Sequence, residues 1–216
     1  MKRWMVALGL LAGVTCVVAF FLLPRTDSMN DDVCAALPQK PKIVAFGDSL
    51  VTGYGTTNSG DFVSVLSSKL EVPIENLGRN GETTASARAR IADVVRERPD
   101  VVIVLVGGND ALQRIPVSET KENLDAILTS LTQVSSVKIN VVLVGVLGGP
   151  INDPYKAMFE ELAKKHDVEY IPNVLSGIFG RQELMSDQIH PNNAGHAKMA
   201  EKVYPFVLNA CSKVLP

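Results

Sequence analysis

The stretch Val101-Val102-Ile103-Val104-Leu105-Val106-Gly107-Gly108-Asn109-Asp110 decides the fold. Its aliphatic run leaves no polar face, as expected of a strand covered on both sides within a parallel sheet. Gly-Gly-Asn-Asp then ends the run with turn chemistry. Outward from it the form recurs. Residues 42–46 run into Gly47-Asp48-Ser49-Leu50, and residues 74–77 into Gly78-Arg79-Asn80-Gly81-Glu82-Thr83. Residues 140–146 and 168–171 are further apolar runs, and Asp187-Gln188-Ile189-His190-Pro191-Asn192 follows the last of them. Between the runs lie helical spacings: Phe62, Val65, Leu66 and Leu70 share one face, as do Leu124, Ile127, Leu128 and Leu131. Helices are also expected at about residues 85–98, 154–166 and 194–210. Strands alternating with helices predict an α/β domain with a parallel sheet and right-handed crossovers.

The chain of 216 residues is 46% hydrophobic and 20% charged, with a net charge of −2. That balance excludes a general nucleic-acid binder, which needs a basic face. Three cysteines without a Cys-x-x-Cys pair exclude a disulfide-dense miniprotein and a cysteine zinc site. From Trp4 to Leu23 no charge occurs, and a helix of that length spans about 30 Å, a bilayer's hydrocarbon core. Lys2 and Arg3 precede it; Asp27, Asp31 and Asp32 follow, which favours a bulk domain on the outer side. The segment reads as an uncleaved transmembrane anchor or a cleaved signal. The expected organisation is 1–26 anchor or signal, 27–41 linker, and 42–216 the α/β domain.

In parallel α/β sheets, ligands bind outside the carboxyl ends of the strands. A serine, an exposed glycine, an asparagine and an Asp-x-x-His pair converge on that edge. A serine hydroxyl needs a neighbouring base to become a nucleophile, and histidine titrates near neutral pH. A carboxylate fixes the imidazole's tautomer and orientation. Asp187 and His190 are spaced to pair within one loop, and a glycine N–H and an asparagine amide are donors suited to an oxyanion. Each block alone could be a turn or a helix cap. Of the other histidines, His166 reads as a solvated surface residue and His196 as a packing or surface residue. No Gly-x-Ser-x-Gly elbow, no P-loop lysine after Gly55–Gly60, and no His-Glu-x-x-His is present.

From residue 42 to 208 the blocks Phe46-Gly47-Asp48-Ser49-Leu50 with Gly53-Tyr54-Gly55, Asn76 to Thr84, Gly107-Gly108-Asn109-Asp110 and Asp187 to Asn192 resemble the SGNH, or GDSL, hydrolases. The likeness is to their bacterial arylesterase, thioesterase I and lysophospholipase L1 group. The resemblance implies a three-layer α/β/α sandwich with a flavodoxin-like five-stranded parallel sheet of order 2-1-3-4-5. It implies Ser49 as nucleophile, His190 as base and Asp187 as its orienting partner. The Ser49 N–H, the Gly81 N–H and the Asn109 side chain would form the oxyanion hole. Asn80-Gly81-Glu82 departs from the group's frequent Ser-Gly-Asp. Asp48 and Asp110 read as loop braces.

The expected activity is that of a membrane-tethered, extracytoplasmic serine esterase, or a secreted one if the segment is cleaved. It would cleave lysophospholipids or short to medium acyl esters or thioesters, with no metal or organic cofactor and as a monomeric catalytic domain. The runner-up is an O-acetyl esterase on cell-envelope carbohydrate, and a third reading is a catalytically idle envelope-binding protein. Topology places Cys34, before the first strand, and Cys211, at the end of the last helix, at the edge opposite the site. Outside the cytoplasm they would pair as a disulfide, the alternative being two separate thiols.

Overall fold

The computed structural model describes residues 33–133, 138–146 and 154–214. The apolar run 4–23 lies outside them, as does most of the 147–155 loop. Among the described residues no helix is long and apolar enough to cross a membrane.

The strands are β1 (Ile43–Gly47), β2 (Ile74–Gly78), β3 (Val101–Leu105), β4 (Asn140–Val144) and β5 (Glu169–Ile171). They form one parallel sheet of order β2-β1-β3-β4-β5. The helices described are α1 (Val33–Ala36), α2 (Ser49–Thr52), α3 (Phe62–Leu70), α4 (Thr84–Ala89), α5 (Ile91–Arg96), α6 (Gly108–Leu112), α7 (Val117–Thr132), α8 (Pro154–His166) and α9 (Asn193–Ser212).

Every residue of β1, β3 and β4 is buried, which is why, Asn140 apart, their sequences read as apolar runs. Alternate side chains feed two cores. Ile43, Ala45, Val101, Ile103 and Leu105 pack with α3 and α9, whereas Val44, Phe46, Val102 and Val104 pack with α4, α5, α7 and α8. The result is the expected three-layer α/β/α sandwich. β2 forms an edge, and its Glu75 and Asn76 are exposed. Register brings the carboxyl ends into line, with Gly47 opposite Gly78 on one side and Leu105 on the other. The loops after these three strands therefore leave the sheet together. Gly47 has no room for a side chain: a Cβ there would lie 1.8 Å from the Leu105 carbonyl oxygen.

Three expectations need correction. The helix expected over 85–98 is broken in two at Arg90, whose backbone (φ −119, ψ 12) leaves the helical region. Its side chain is drawn away to Glu82 and to the carbonyl of Leu77. His166 is not solvated: its side chain is fully buried, with Nε2 2.6 Å from Asp125 Oδ1. The stretch expected as linker contains α1, whose Cys34 is wholly buried.

Cys34 and Cys211 form a disulfide, with Cα atoms 5.4 Å apart and a sequence separation of 177. It staples α1 to the end of α9, close to where Asn209 and Lys213 both donate to Glu169 at the amino end of β5. Closing a loop this long removes about 5 kcal/mol from the unfolded chain's entropy in the simplest model, with measured effects more often about 2–4 kcal/mol. Cys34→Ala with Cys211→Ala is therefore expected to lower the unfolding free energy at 25 °C, read from urea midpoints, by that range while preserving activity. Two free thiols in the unfolded, unreduced chain from Asp27 onward, which leaves out Cys16, would overturn the pairing.

Candidate active site

The first strand-end loop opens α2 directly. Asp48 caps that helix by accepting from the Leu50 N–H at 2.9 Å, so Ser49 stands at its first position. The fourth loop, between the single turn Gln182–Leu184 and α9, is closed by an antiparallel bridge between Met185 and Pro191. Within it the Ser186 N–H and hydroxyl donate to the His190 carbonyl at 2.8 and 3.0 Å. Asn192 caps α9 through the Ala194 and Gly195 N–H groups and also donates to the Glu183 carbonyl, pinning the loop to the helix start.

These two loops meet. Ser49 Oγ lies 3.0 Å from His190 Nε2, and His190 Nδ1 lies 2.8 Å from Asp187 Oδ2. Asp187 Oδ1 accepts from the N–H groups of Ile189 at 2.8 Å and His190 at 2.7 Å. Partial desolvation pushes the Asp187 carboxyl up, but the bonds from the His190 ring and from these two N–H groups outweigh it and hold the group at about 2. It is an anion throughout the neutral range. An imidazole held between a hydroxyl and a carboxylate can take the hydroxyl's proton and is stabilised when it does.

The remaining expected residues come from the second and third loops. Gly81 sits at φ +73 in the turn after β2, a left-handed conformation that glycine adopts without strain. Asn109 is the second residue of α6, and its Nδ2 donates to the Glu82 carbonyl at 3.0 Å, joining the two loops. Among the described residues the N–H groups of Ser49 and Gly81 have no acceptor, so both remain available to a ligand. Asp110, wholly buried, accepts from the Thr84 N–H at 2.9 Å and from the hydroxyls of Thr84 and Thr120. Asp48 and Asp110 thus brace the loops, as expected. Among the described residues no cluster of three His, Cys, Asp or Glu is placed to hold a metal ion.

Tyr54 has no role that the sequence alone assigns. Its ring packs against His190, centroid to centroid 4.4 Å, and backs the imidazole. The Gly53-Tyr54-Gly55 sequence marks a turn, but nothing local says which side chain it presents. His196 is fully buried and accepts from the Phe62 N–H at 3.2 Å. Burial lowers it to about 4, against the opposing pull of Asp61, so it is a neutral packing residue.

Asp48 carries a testable charge effect. Burial pushes its carboxyl from 3.8 up to about 7; the Leu50 N–H opposes this, and the charges of Glu82 and Asp110 add to it. Between about pH 4 and 7 the folded protein keeps a proton that the unfolded chain has released, so this group lowers stability as pH rises and levels off above 7. Asp48→Asn keeps the helix cap. Its stability advantage over the parent, read from urea midpoints at pH 4.5, 6 and 7.5, should grow with pH; a constant difference would refute the effect.

A parallel sheet of this order, with a serine, a histidine and an aspartate linked across its carboxyl edge, defines a serine hydrolase of the α/β/α type. The chain belongs to the GDSL-like lipase/acylhydrolase family, whose pattern matches residues 45–198. It is 26% identical to the thioesterase 1/protease 1/lysophospholipase L1 of Escherichia coli K12, over 76% of this chain and 84% of that one. It is 27% identical to the arylesterase of Vibrio mimicus, over 78% and 89% respectively. Of solved structures, the SGNH-hydrolase esterase AlinE4 shares 30% identity at a TM-score of 0.64, covering 84% of this chain and all of that one. TesA superimposes with a TM-score of 0.71 at 24% identity, covering 81% and 99%.

Proposed function

We propose that Ser49 is the nucleophile, His190 the general base and Asp187 the group that orients it, in an esterase working through an acyl-enzyme. The observation carrying this is the unbroken chain of contacts, 3.0 Å from Ser49 Oγ to His190 Nε2 and 2.8 Å from Nδ1 to Asp187 Oδ2. As Oγ bonds to the substrate carbonyl carbon, its proton passes to Nε2. The carbonyl oxygen becomes an oxyanion held by the Ser49 N–H, the Gly81 N–H and Asn109 Nδ2. The carbon–oxygen bond to the leaving group then breaks, and the imidazolium gives that group its proton. Water, deprotonated by the same imidazole, releases the acid and restores Ser49.

Lysophospholipids or other short to medium acyl esters are the proposed substrates. Tyr54, Ile189 and Leu112 support this: all are exposed, one on the His190 ring, one beside His190 and one three residues after Asn109. Hydrolysis of p-nitrophenyl esters from acetate to palmitate, run beside lysophosphatidylcholine and an O-acetylated glycan, tests the reading. Turnover of the short and medium esters, extending to the lysolipid, is expected. Activity on the glycan alone would replace it with the carbohydrate O-acetyl esterase.

The catalytic unit is proposed to lie outside the cytoplasm as a monomer, tethered through the apolar run 4–23. The Cys34–Cys211 disulfide supports this, because such bonds persist where thiols are not kept reduced. Full-length protein is expected to resist extraction by salt and carbonate, and a version beginning at Asp27 to be soluble and active. A mature N-terminus found beyond Leu23 would replace the tether with a cleaved signal.

A further inference from the structure

Beneath the oxyanion loop lies a buried ion pair that the triad does not touch. Arg90 and Glu82 are 7% and 5% exposed. Arg90 Nε donates to Glu82 Oε1 at 2.5 Å, and Nη2 donates to Oε2. Nη2 also reaches the Leu77 carbonyl at 2.8 Å and the Gly47 carbonyl at 3.5 Å, and the guanidinium lies 4.3 Å over the Phe46 ring. One side chain therefore holds the ends of β1 and β2 together with the loop that carries Gly81.

The geometry ties this pair to the site. Glu82 follows Gly81 directly, and its carbonyl is the acceptor for Asn109 Nδ2. Asn109 rides on α6 and Gly81 on the turn after β2, so nothing within either element sets their separation. The chain is also interrupted to supply the arginine, since Arg90 occupies the break between α4 and α5. A buried ion pair contributes little net stability, because desolvation offsets the attraction. A planar guanidinium with bidentate and carbonyl contacts does fix geometry, which a lysine ammonium at the same place cannot reproduce.

We propose that Arg90, acting through Glu82, is a positioning residue that sets the spacing between the Gly81 N–H and the Asn109 amide. This rests on the assignment of those two groups as oxyanion donors. Arg90 orders the donors and leaves the triad and the acyl site alone, so its loss acts on kcat.

The test measures kcat, KM and melting temperature on p-nitrophenyl butyrate for Arg90→Lys, for the paired Glu82→Leu/Arg90→Met, and for Arg90→Lys with and without Asn109→Ala. The paired variant removes both charges at once, so neither is left buried alone and the fold is retained. Displaced donors are expected to lower kcat about 10- to 100-fold in folded Arg90→Lys and in the paired variant, with KM within about threefold. The pH profile's acid limb should not move. With Asn109 already removed, Arg90→Lys should cost less than about threefold more, because the two act on one interaction. A full and additive loss on top of Asn109→Ala, an unchanged kcat in a folded variant, or a change confined to KM would overturn the proposal. If Asn109→Ala alone leaves kcat intact, the donor assignment itself fails, a result distinct from any of these.

Discussion

Ser49→Ala is expected to remove ester turnover by a factor of about 10⁴ or more while leaving the melting temperature within a degree or two. Three features of the loop make the substitution clean. The helix cap comes from Asp48, not from the Ser49 hydroxyl. The Ser49 N–H survives in alanine. Ser49 Oγ has His190 Nε2 as its partner, so its loss strips no bond from the core. What disappears is the proposed nucleophilic atom, and neither the imidazole nor the proposed oxyanion donors can replace it. Because the triad acts as a unit, His190→Ala should cost nearly as much, and the double variant little more than either alone. Steady-state kinetics on p-nitrophenyl butyrate, with labelling of the parent by a fluorophosphonate and peptide mapping of the adduct, decides the matter. Residual turnover within tenfold of the parent, or an adduct on another residue, would remove Ser49 from its role. Asp187, held at about 2, stays ionised over the assay range.

The central strands are legible in the sequence because burial on both faces leaves almost only apolar residues. Val101–Leu105 and Ile43–Gly47 read the same way in sequence and in space. The four site blocks are legible for a related reason: three follow a strand directly, and the fourth opens the last helix, so alternation alone brings them to one edge. What is not legible depends on distant partners. The break at Arg90 comes from Glu82 and from the ends of two strands, at no spacing that a helical pattern would reveal. His166 follows two lysines, as a solvated residue would, yet it is buried because Asp125, on α7, reaches it. Cys34 lies in a stretch of turn-forming residues and is buried only because α9 returns to it across a sequence separation of 177. Tyr54 belongs to the site through the placement of His190, which its own neighbours do not encode.

Asn109→Ala is expected to lower kcat by about 10²- to 10³-fold with KM nearly unchanged. The ground-state ester offers its carbonyl oxygen to donors that fit better once the carbon is tetrahedral and the oxygen carries charge. A donor tuned to that oxygen therefore acts on the chemical step. The structure holds Asn109 in a place that suits this proposed role, since α6 is anchored by Asp110, whose carboxylate takes bonds from Thr84 and Thr120. The amide itself is steadied by one bond to the Glu82 carbonyl, which leaves its other N–H free to turn to the substrate. Truncation removes that donor without disturbing Ser49, His190 or Asp187. Asn109→Asp separates electrostatics from shape: it keeps the size of the side chain, replaces the donor by an acceptor and puts a negative charge where one must develop. Its loss should exceed that of alanine. Full kinetics of both variants on one ester read the outcome. A large rise in KM at normal kcat would make Asn109 a substrate-binding group, and an aspartate variant more active than the alanine one would show that the side chain does not donate to the oxyanion.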